Sequence, residues 1–317
     1  MGVAVGLDLG GTKCLGVALG PDGEVLAERR VPTPLESGDA FLDALAAVAN
    51  EVAEAAGGPP DSVGVGAPGL VGTDGVLRIA PNLRRAEGLP IGDGLTRRLG
   101  VAVQVDNDVT CAAFGEWKLG AAAGDGDVLM VALGTGIGGG LVVGGRLARG
   151  ANGYAGEIGH MVVDPHGPPC PCGQRGCWER FASGAGLARL AREAAAAGLA
   201  PEVVARAGGD CESVRGEHVT DAAEDGDEGA KAILDEFAWW LALGIANLVN
   251  ILDPARIVLG GGLVEDAALY LDTTRTTFSS LVMGAPARPD VPIVAATLGS
   301  RAGAIGAALL GVELARR

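Results

Sequence analysis

Aromatic residues are scarce in this chain of 317 residues, at 3% of the total, so its cores must be built from Ala, Val and Leu. Positive charge is also short: 24 Lys and Arg face 39 Asp and Glu, for a formal net charge of −15. An acidic surface repels phosphate backbones and anionic lipid, so we expect no nucleic-acid partner. Net charge does not exclude a nucleotide, since backbone amides and a metal ion can bind a small anion.

Long apolar runs and export signals are missing as well. The longest apolar stretch, Trp239 to Leu252, is interrupted by Gly244 and two asparagines. It falls short of the roughly 20 apolar residues that a membrane-spanning helix needs. The first residues, MGVAVGLDLGG, contain no basic segment of the kind that opens a secretory signal. We therefore expect a cytoplasmic protein without a membrane span.

Cysteine is sparse, at six residues, and unevenly placed. Three cysteines are isolated, which does not indicate a disulfide framework. The other three, Cys170, Cys172 and Cys177, lie in one Pro- and Gly-rich segment, CPCGQRGC. With His160 they make a Cys₃His set, the ligands of a closed tetrahedral zinc site. We predict a structural zinc ion here, because four protein ligands leave no position for a reactive water.

Short apolar strands, glycine-rich turns and amphipathic helices alternate along the chain, which is typical of the α/β class. The succession of strand, glycine turn and β-hairpin occurs twice, starting at Val3 and again at Val128. The pattern predicts strands at 3–7, 14–19, 25–31, 62–66, 101–105, 128–133, 141–143, 146–148, 257–259 and 292–295. It predicts helices at 40–56, 106–119, 183–198, 227–252, 265–282 and 300–315. We expect two domains: a small one of residues 1–118 joined by 300–317, and a large one of residues 119–299.

Three glycine-rich turns each follow a predicted strand, at Asp8–Lys13, Leu133–Gly139 and Leu259–Gly262. Glycine lets backbone amides approach a phosphate closely. A chain with 54 glycines also forms such turns without any ligand. The second turn fits the dinucleotide-binding pattern, but a strand follows it where that fold needs a helix. What remains is one turn and hairpin in each half, able to bind a polyphosphate from two sides.

Carboxylates accompany these turns. Asp8 ends the first strand, where a buried carboxylate needs donors or a cation such as hydrated Mg²⁺; the alternative is a turn-capping Asp. Asp108 follows another strand and could accept a proton in phosphoryl transfer, in a position that also favours a helix cap. Glu157 and Glu179 flank the zinc residues. If the metal fixes the loop, both suit sugar hydroxyls, and otherwise both are solvated acids.

Together these segments resemble the ROK family of sugar kinases and regulators, and within it bacterial glucokinases of the actinobacterial type. The matching segments are DLGGTK at 8–13, VDND at 105–108, LGTGIGG at 133–139, EIGH at 157–160, CPCGQRGCWE at 170–179 and VLGGG at 258–262. The resemblance extends over nearly the whole chain. It implies a two-lobed, actin-like (ribonuclease H-like) ATPase fold with a duplicated β-hairpin sheet core. It also implies that ATP with Mg²⁺ phosphorylates the 6-hydroxyl of glucose, in a homodimer or homotetramer.

The resemblance also implies roles for single residues. Asp108 would be the base for the sugar 6-hydroxyl. The sugar would further be bound by Gly69, Asn82, Asn107, Glu157, His160 and Glu179. Asp8 would hold Mg²⁺ through water, and the nucleotide and its phosphates would contact Gly10, Gly11, Thr12, Lys13, Gly134, Thr135, Gly136, Gly138, Gly260, Gly261 and Gly262. Asp106 stands where many family members have Glu, which leaves its role open.

Alternatives remain at this point. The same motifs fit kinases of fructose, mannose, N-acetylglucosamine or N-acetylmannosamine, and polyphosphate could replace ATP as donor. ROK repressors carry a helix-turn-helix domain before the kinase-like part, whereas the first phosphate strand here begins at Val3, so we expect no DNA binding. A sugar-sensing regulator without catalysis is disfavoured by the intact Asp108 and the two phosphate turns.

Overall fold

A computed structural model of the chain describes residues 3–316, which form two compact units. Unit 1 contains residues 3–130, Gly139–Gly156 and 296–316. Unit 2 contains Val131–Gly138 and Glu157–Ala295. The predicted small domain, 1–118 with 300–317, includes residues 1, 2 and 317, which lie outside the described residues. The predicted domain limits stay a prediction.

Strands and helices alternate along the described chain. The strands are β1 (Val3–Leu9), β2 (Lys13–Leu19), β3 (Val25–Pro32), β4 (Pro60–Ala67), β5 (Leu70–Val71), β6 (Leu77–Ile79), β7 (Val103–Asn107), β8 (Val128–Leu133), β9 (Ile137–Val143), β10 (Arg146–Leu147), β11 (Arg256–Gly260) and β12 (Ile293–Ala295). The helices are α1 (Asp39–Ala55), α2 (Ile91–Leu99), α3 (Asp108–Leu119), α4 (Glu179–Ala182), α5 (Gly184–Ala196), α6 (Pro201–Arg206), α7 (Gly216–Glu224), α8 (Glu228–Leu252), α9 (Leu271–Leu281) and α10 (Ala302–Ala315). Short 3₁₀ helices cover Arg84–Ala86, Ile158–His160, Cys211–Ser213, Gly262–Leu269 and Gly299–Arg301.

Two five-stranded sheets share one strand order. The first runs β3-β2-β1-β4-β7 and the second β10-β9-β8-β11-β12. Counted within its own half, each sheet therefore has the order third, second, first, fourth, fifth. In the first sheet β1 to β3 pair antiparallel, whereas β1, β4 and β7 pair parallel. The α/β class and the duplicated hairpin core are confirmed.

Helix α10 covers one face of the first sheet at unusually short range. A Cβ atom at Gly6 would lie 1.8 Å from the carbonyl oxygen of Ala304, and one at Gly64 would lie 1.7 Å from that of Ala307. Real Cβ atoms do not approach so closely, so only glycine lets the helix backbone rest on β1 and β4. Helix α1 packs on the opposite face through Phe41, Leu45 and other apolar side chains.

Glu116 joins α3 to the segment that leads into α10. Its side chain is fully buried. The carboxylate accepts hydrogen bonds from the backbone N–H groups of Ala121 at 2.8 Å, Thr297 at 3.1 Å and Leu298 at 2.7 Å. A buried carboxylate is tolerated when donors surround it in this way. The bonds fix where α10 begins, and with it the helix face that reaches β1.

Unit 2 is organised around α8. Among the described residues, this 25-residue helix is long and apolar enough to cross a membrane by length and composition. However, 61% of its apolar 18-residue stretch is buried inside the protein. Its apolar residues pack against α4, α5, α7 and α9. A core helix of a globular unit passes the same test, so the helix carries little weight as a membrane signal.

The local predictions differ from the structure in a few elements. Strand β9 begins at Ile137, so Gly138 lies in a strand and not in the predicted turn. The predicted helix 265–282 is divided into a 3₁₀ helix, Gly262–Leu269, and α9. The pair β5 and β6 and helices α2, α6 and α7 were not predicted. These elements are only two to nine residues long, and tertiary packing overrides local propensity in such short segments.

Candidate active site

The β1–β2 turn is closed by the end of β3 and by Thr33 just beyond it. Gly10 donates its N–H to the carbonyl of Lys13 at 2.8 Å, and the hydroxyl of Thr33 donates to the carbonyl of Gly10 at 2.7 Å. The N–H of Thr33 donates to the carbonyl of Thr12 at 3.0 Å. Gly11, Thr12 and Lys13 are exposed. The turn is thus held by its own backbone while its tip stays accessible, which suits contact with an anion.

Asp8 is the carboxylate at the carboxyl end of β1. Burial, and then the nearby charge of Asp108, raise the pKa of Asp8 to about 7. Gly303 of α10 lies against it: a Cβ there would be 2.8 Å from the carboxyl carbon. Two carboxylates that disfavour each other's ionisation are the donor set that a divalent cation relieves. The residues therefore fit Mg²⁺ accompanying a phosphate ligand.

The β7–α3 corner places Asn107 and Asp108 next to each other. The side-chain oxygen of Asn107 accepts the N–H groups of Val109 at 2.9 Å and Thr110 at 3.0 Å, so Asn107 caps α3. Its amide nitrogen donates to the carbonyl of Gly69 at 3.2 Å. The Asp108 carboxylate accepts the N–H of Val109 at 2.9 Å. A helix cap and a carboxylate role are compatible here, because Asn107 takes the cap and Asp108 is the first residue of the helix.

Gly69 and Asn82 occupy constrained positions in the same unit. Gly69 has φ +102°, and a Cβ there would lie 2.1 Å from the carbonyl oxygen of Ile79, so no other residue fits. Asn82 lies against the first glycine turn, because a Cβ at Gly11 would be 3.1 Å from the Asn82 Cβ. Unit 1 thus brings two predicted groups together: the phosphate turn with Asn82, and Gly69 with Asn107.

Two further glycine segments meet in unit 2. Gly134 to Gly136 form a turn whose carbonyls accept the first N–H groups of α5, with Gly184 donating to Gly134 at 2.8 Å. Gly261 has φ +83°, and a Cβ there would lie 2.4 Å from the carbonyl oxygen of Leu133. The segment Gly260–Gly262 therefore rests on the end of β8, immediately before the turn. Both predicted nucleotide-binding segments of this unit lie side by side.

The predicted zinc ligands converge. The candidate ligand atoms of His160, Cys170, Cys172 and Cys177 all lie within 4.8 Å of one another. The sulfurs of Cys172 and Cys177 are 3.6 Å apart, and that of Cys170 is 3.8 Å from Nδ1 of His160. A disulfide would need about 2.05 Å between sulfurs. Tetrahedral zinc, with Zn–S near 2.3 Å, puts two sulfurs ~3.8 Å apart, so the four residues fit a metal ion.

Turns fold the cysteine loop back on itself. The N–H of Cys170 donates to the carbonyl of Gln174 at 2.8 Å, and that of Gly176 donates to the carbonyl of Pro168 at 2.9 Å. Gly176 has φ +68°, and a Cβ there would lie 1.6 Å from the carbonyl oxygen of Asp164. Between His160 and Glu179 the structure has turns and isolated bridges instead of a helix or strand. A bound metal ion would therefore supply much of its stability.

Glu157 and Glu179 lie on either side of His160. Glu157 Oε2 is 3.8 Å from Nε2 of His160, and Glu179 Oε1 is 3.7 Å from Nδ1. Burial raises the pKa of Glu157, an effect that His160 opposes and Glu179 reinforces. Glu179 also borders the second glycine turn, since a Cβ at Gly136 would be 2.5 Å from its carboxylate. The structure thus gathers all three predicted sugar-binding side chains of unit 2 beside the metal ligands.

Trp178 anchors this cluster to α8. Trp178 follows Cys177 and precedes Glu179 in the sequence, and its side chain is fully buried. Its Nε1 donates to the carbonyl of Trp240 at 2.8 Å. Its ring lies against Gly244: a Cβ there would be 2.0 Å from Cε2 of the indole. Phe181 stacks on Trp240 with ring centroids 4.0 Å apart. The sequence shows only a glycine and an aromatic pair in one helix, so this contact was not predicted.

Gly244→Ala should destabilise the protein. The new methyl group would displace Trp178, and overpacking of this kind costs about 1–3 kcal/mol, against a gain of about 1 kcal/mol in helix propensity. Thermal and urea unfolding measure the loss. The matched control is Gly92→Ala in α2, where a Cβ meets nothing closer than 3.5 Å, so stability should hold or rise. Equal stability of the two variants would contradict the packing argument.

The model of the ROK family matches residues 4–313. The chain belongs to the ROK family. This ROK protein is 37% identical to the glucokinase of Streptomyces coelicolor, over 99% of its own length and 98% of that protein. It is 36% identical to the ROK glucokinase of Streptomyces griseus, whose crystal structure holds glucose and AMPPNP. That match has a TM-score of 0.85 and covers 98% of this chain and all of the other.

A second solved structure agrees. The ROK hexokinase of Thermus thermophilus superimposes on this ROK protein with a TM-score of 0.85, at 34% identity and with 99% of each chain covered. The actin-like ATPase fold implied by the sequence motifs is therefore confirmed. All of these relatives match from end to end.

One polar contact near the predicted base was missed from the sequence. Asp106 is 4% exposed, and its carboxylate Oδ2 accepts a short hydrogen bond from Nε of Arg149. Burial raises the pKa of Asp106, and Arg149 works against that effect. Arg149 belongs to no motif and lies far along the chain from its partner. Only the buried carboxylate at the end of a strand could have signalled that a cation was needed.

Proposed function

We propose that this ROK protein is a glucokinase, which transfers the γ-phosphoryl group of ATP to the 6-hydroxyl of glucose. The observation that carries the proposal is the β7–α3 corner, where Asn107 caps a helix and Asp108 opens it beside the carboxylate of Asp8. Carboxyl ends of parallel strands are where open α/β sheets bind their ligands. The glucokinase relatives named above, one of them bound to glucose and AMPPNP, support the sugar and the donor.

Asp108 is the proposed general base. Phosphoryl transfer needs a group that orients the attacking hydroxyl and takes its proton. The bond from Val109 N–H holds the Asp108 carboxylate at the first turn of α3. Both the oxygen and the nitrogen of the Asn107 side-chain amide are hydrogen-bonded, so the orientation of the amide is fixed. A fixed amide suits hydrogen bonding to the sugar hydroxyls. Positioning, and not covalent chemistry, is then the protein's main contribution.

The remaining sugar contacts are proposed for Gly69, Asn82, Glu157, His160 and Glu179. Carboxylates accept the O–H groups of a sugar, and two acids flanking an imidazole provide several acceptors within a few ångströms. His160 has one ring nitrogen beside the cysteine sulfurs and the other toward Glu157. It could therefore bind a metal and a hydroxyl at once, with the metal fixing the ring orientation.

The phosphates are proposed to contact backbone amides of the two exposed turns and the residues around them. In unit 1 these are Gly10, Gly11, Thr12 and Lys13, and in unit 2 they are Gly134, Thr135, Gly136 and Gly138. Gly260, Gly261 and Gly262 are proposed to line the adenosine. Mg²⁺, held by Asp8 through water, would neutralise charge on the transferring group when bound. Amides need no reorganisation to stabilise that charge.

The metal ion at His160, Cys170, Cys172 and Cys177 is proposed to be zinc with a structural role. Three thiolates and one imidazole fill a tetrahedral shell, which is the set that zinc prefers. The separations of the four side chains support this choice. The role is to hold Glu179 and His160 in place rather than to activate water. We also propose a cytoplasmic homodimer or homotetramer, in line with the family resemblance.

The glucokinase proposal is tested by a coupled assay of ADP release. MgATP is supplied with glucose, fructose, mannose, N-acetylglucosamine or N-acetylmannosamine, and polyphosphate is then tried as donor. We expect kcat/KM to be highest with glucose and ATP. A higher kcat/KM with another sugar would replace glucose as the proposed substrate, and a higher kcat/KM with polyphosphate would replace ATP as the proposed donor. Silence with every pair, from folded zinc-loaded protein that binds glucose in calorimetry, would make it a non-catalytic sensor.

A further inference from the structure

Asp106 and Arg149 make an ion pair next to the proposed base, in which the Asp106 side chain is 6% exposed and that of Arg149 is 31% exposed. One carboxylate oxygen of Asp106 takes the Arg149 guanidinium, and the other accepts the backbone N–H of Asn107 at 3.0 Å. Both oxygens of this buried carboxylate are therefore committed. The peptide N–H that it binds is the one linking Asp106 to Asn107, immediately before Asp108.

The bond between Asp106 and the N–H of Asn107 matters because of where Asp106 lies in the sheet. Strand β7 ends the strand order of its sheet, so within residues 3–316 no strand pairs with its outer side. Register with β4 extends to Asn107, opposite Ala67, and α3 starts at the next residue. The Asp106 side chain thus fixes the peptide at the point where the chain leaves the sheet. The orientation of the first turn of α3, and of Asp108 within it, depends on that peptide.

Arg149 is itself held in place. Its carbonyl accepts the N–H of Ala155 at 3.0 Å, which closes the segment that follows β10. The carbonyl of Asn152 in that segment accepts the N–H of Thr73 at 3.3 Å. Gly153 rests on β5, where a Cβ would lie 2.5 Å from the carbonyl oxygen of Val71. The segment that carries Arg149 is therefore held in place, which fixes the direction from which the guanidinium binds Asp106.

We propose that Arg149 is a positioning residue that acts through Asp106 to hold Asn107 and Asp108 in their reactive arrangement. The proposal rests on the role given above to Asp108. An ion pair with one partly exposed member contributes little net stability, so stability alone does not account for it. Its geometry fits a second purpose: it fixes a peptide next to a reacting group, where a displacement of about 1 Å costs roughly 10²-fold in rate.

The kinetic test compares single and double variants. We expect Arg149→Met and Asp106→Asn each to lower kcat about 10- to 100-fold, with glucose Kd raised less than about fivefold. The double variant should cost about as much as either single one, because the two side chains act as a unit. Arg149→Lys and Asp106→Glu should recover part of kcat. The control is Arg29→Met, which breaks an exposed ion pair with Glu51 and should leave kcat unchanged.

Amide hydrogen exchange followed by mass spectrometry supplies a readout besides activity. In Arg149→Met, exchange should speed up in peptides spanning 103–110 and stay unchanged in the peptides of β1 and α1. Uniformly faster exchange, or a kcat loss equal to the loss of folded protein, would reduce the pair to a structural role and overturn the proposal. So would additive losses in the double variant.

Failure of the proposed function would give a different pattern of results. If Asp108→Ala keeps its kcat while Arg149→Met loses it, the base assignment is wrong and the positioning target must be Asn107 alone. If both variants keep kcat within twofold of the parent protein, the positioning proposal is overturned together with the base. Unchanged local exchange in Arg149→Met overturns the positioning role whatever the activity of the parent protein.

Discussion

Asp108→Ala is expected to abolish turnover, with kcat reduced by about 10³-fold or more, while glucose Kd changes less than about tenfold. The reason is that the carboxylate, as the proposed base, would take the proton of the attacking hydroxyl only as the reaction proceeds. Sugar affinity comes instead from several hydroxyl contacts, of which this is one. Such a loss in kcat without a matching loss in affinity identifies an interaction made in the transition state.

Calorimetry and the ADP assay measure the two quantities separately. Asp108→Asn is the sharper companion variant, because an amide oxygen can still accept the N–H of Val109, yet the side chain no longer takes a proton at neutral pH. Both variants should unfold at nearly the parent temperature. Near-normal kcat in either one would remove Asp108 from the chemistry.

Loss of the proposed zinc ion should have the second large effect. Cys172→Ser is the most informative change, since Cys172 is exposed and the new hydroxyl disturbs no packing. The metal content should fall from one ion per chain to near zero, because a neutral hydroxyl is a poor replacement for a thiolate. The loop should lose its order, and kcat/KM for glucose should fall about 10²-fold or more as Glu179 and His160 lose their supports.

Elemental analysis, thermal unfolding and the kinase assay together test this expectation. A strong chelator should reproduce the effect on the parent protein, and added Zn²⁺ should reverse it. Cys211→Ser is the matched control, because that cysteine lies outside the cluster and its loss should change none of the three measurements. Full activity in metal-free protein would contradict a structural role for the ion.

The sequence locates the glycine turns and the cluster of three cysteines with His160 because both depend on local chemistry. The turns Gly10–Thr12, Gly134–Gly136 and Gly260–Gly262 follow apolar strands, and three cysteines within eight residues limit where their sulfurs can lie. The duplicated hairpin was visible for the same reason: each copy is a continuous stretch with its own strand period and turn residues. Such features are complete within about 20 residues.

Contacts between distant segments could not be predicted in that way. Arg149 meets Asp106 across 43 positions, and Trp178 meets Trp240 across 62. Gly244 and Gly303 look like ordinary helix glycines, although each leaves room for one particular side chain, Trp178 or Asp8. The sequence does not show which side chain packs against each glycine. Because protein interiors are close-packed, that side chain decides which residue fits at the position.

The covering of β1 by α10 has a consequence for how unit 1 is made. The strand that carries Asp8 begins at Val3, while the helix that packs on its Gly6 starts at Ala302. During synthesis this face of the sheet is covered only after α10, the last helix described, has been made. Contacts so far apart are slow to form, and the bare face is open to aggregation meanwhile. Unit 2, whose residues all come earlier than α10, can complete its own core first.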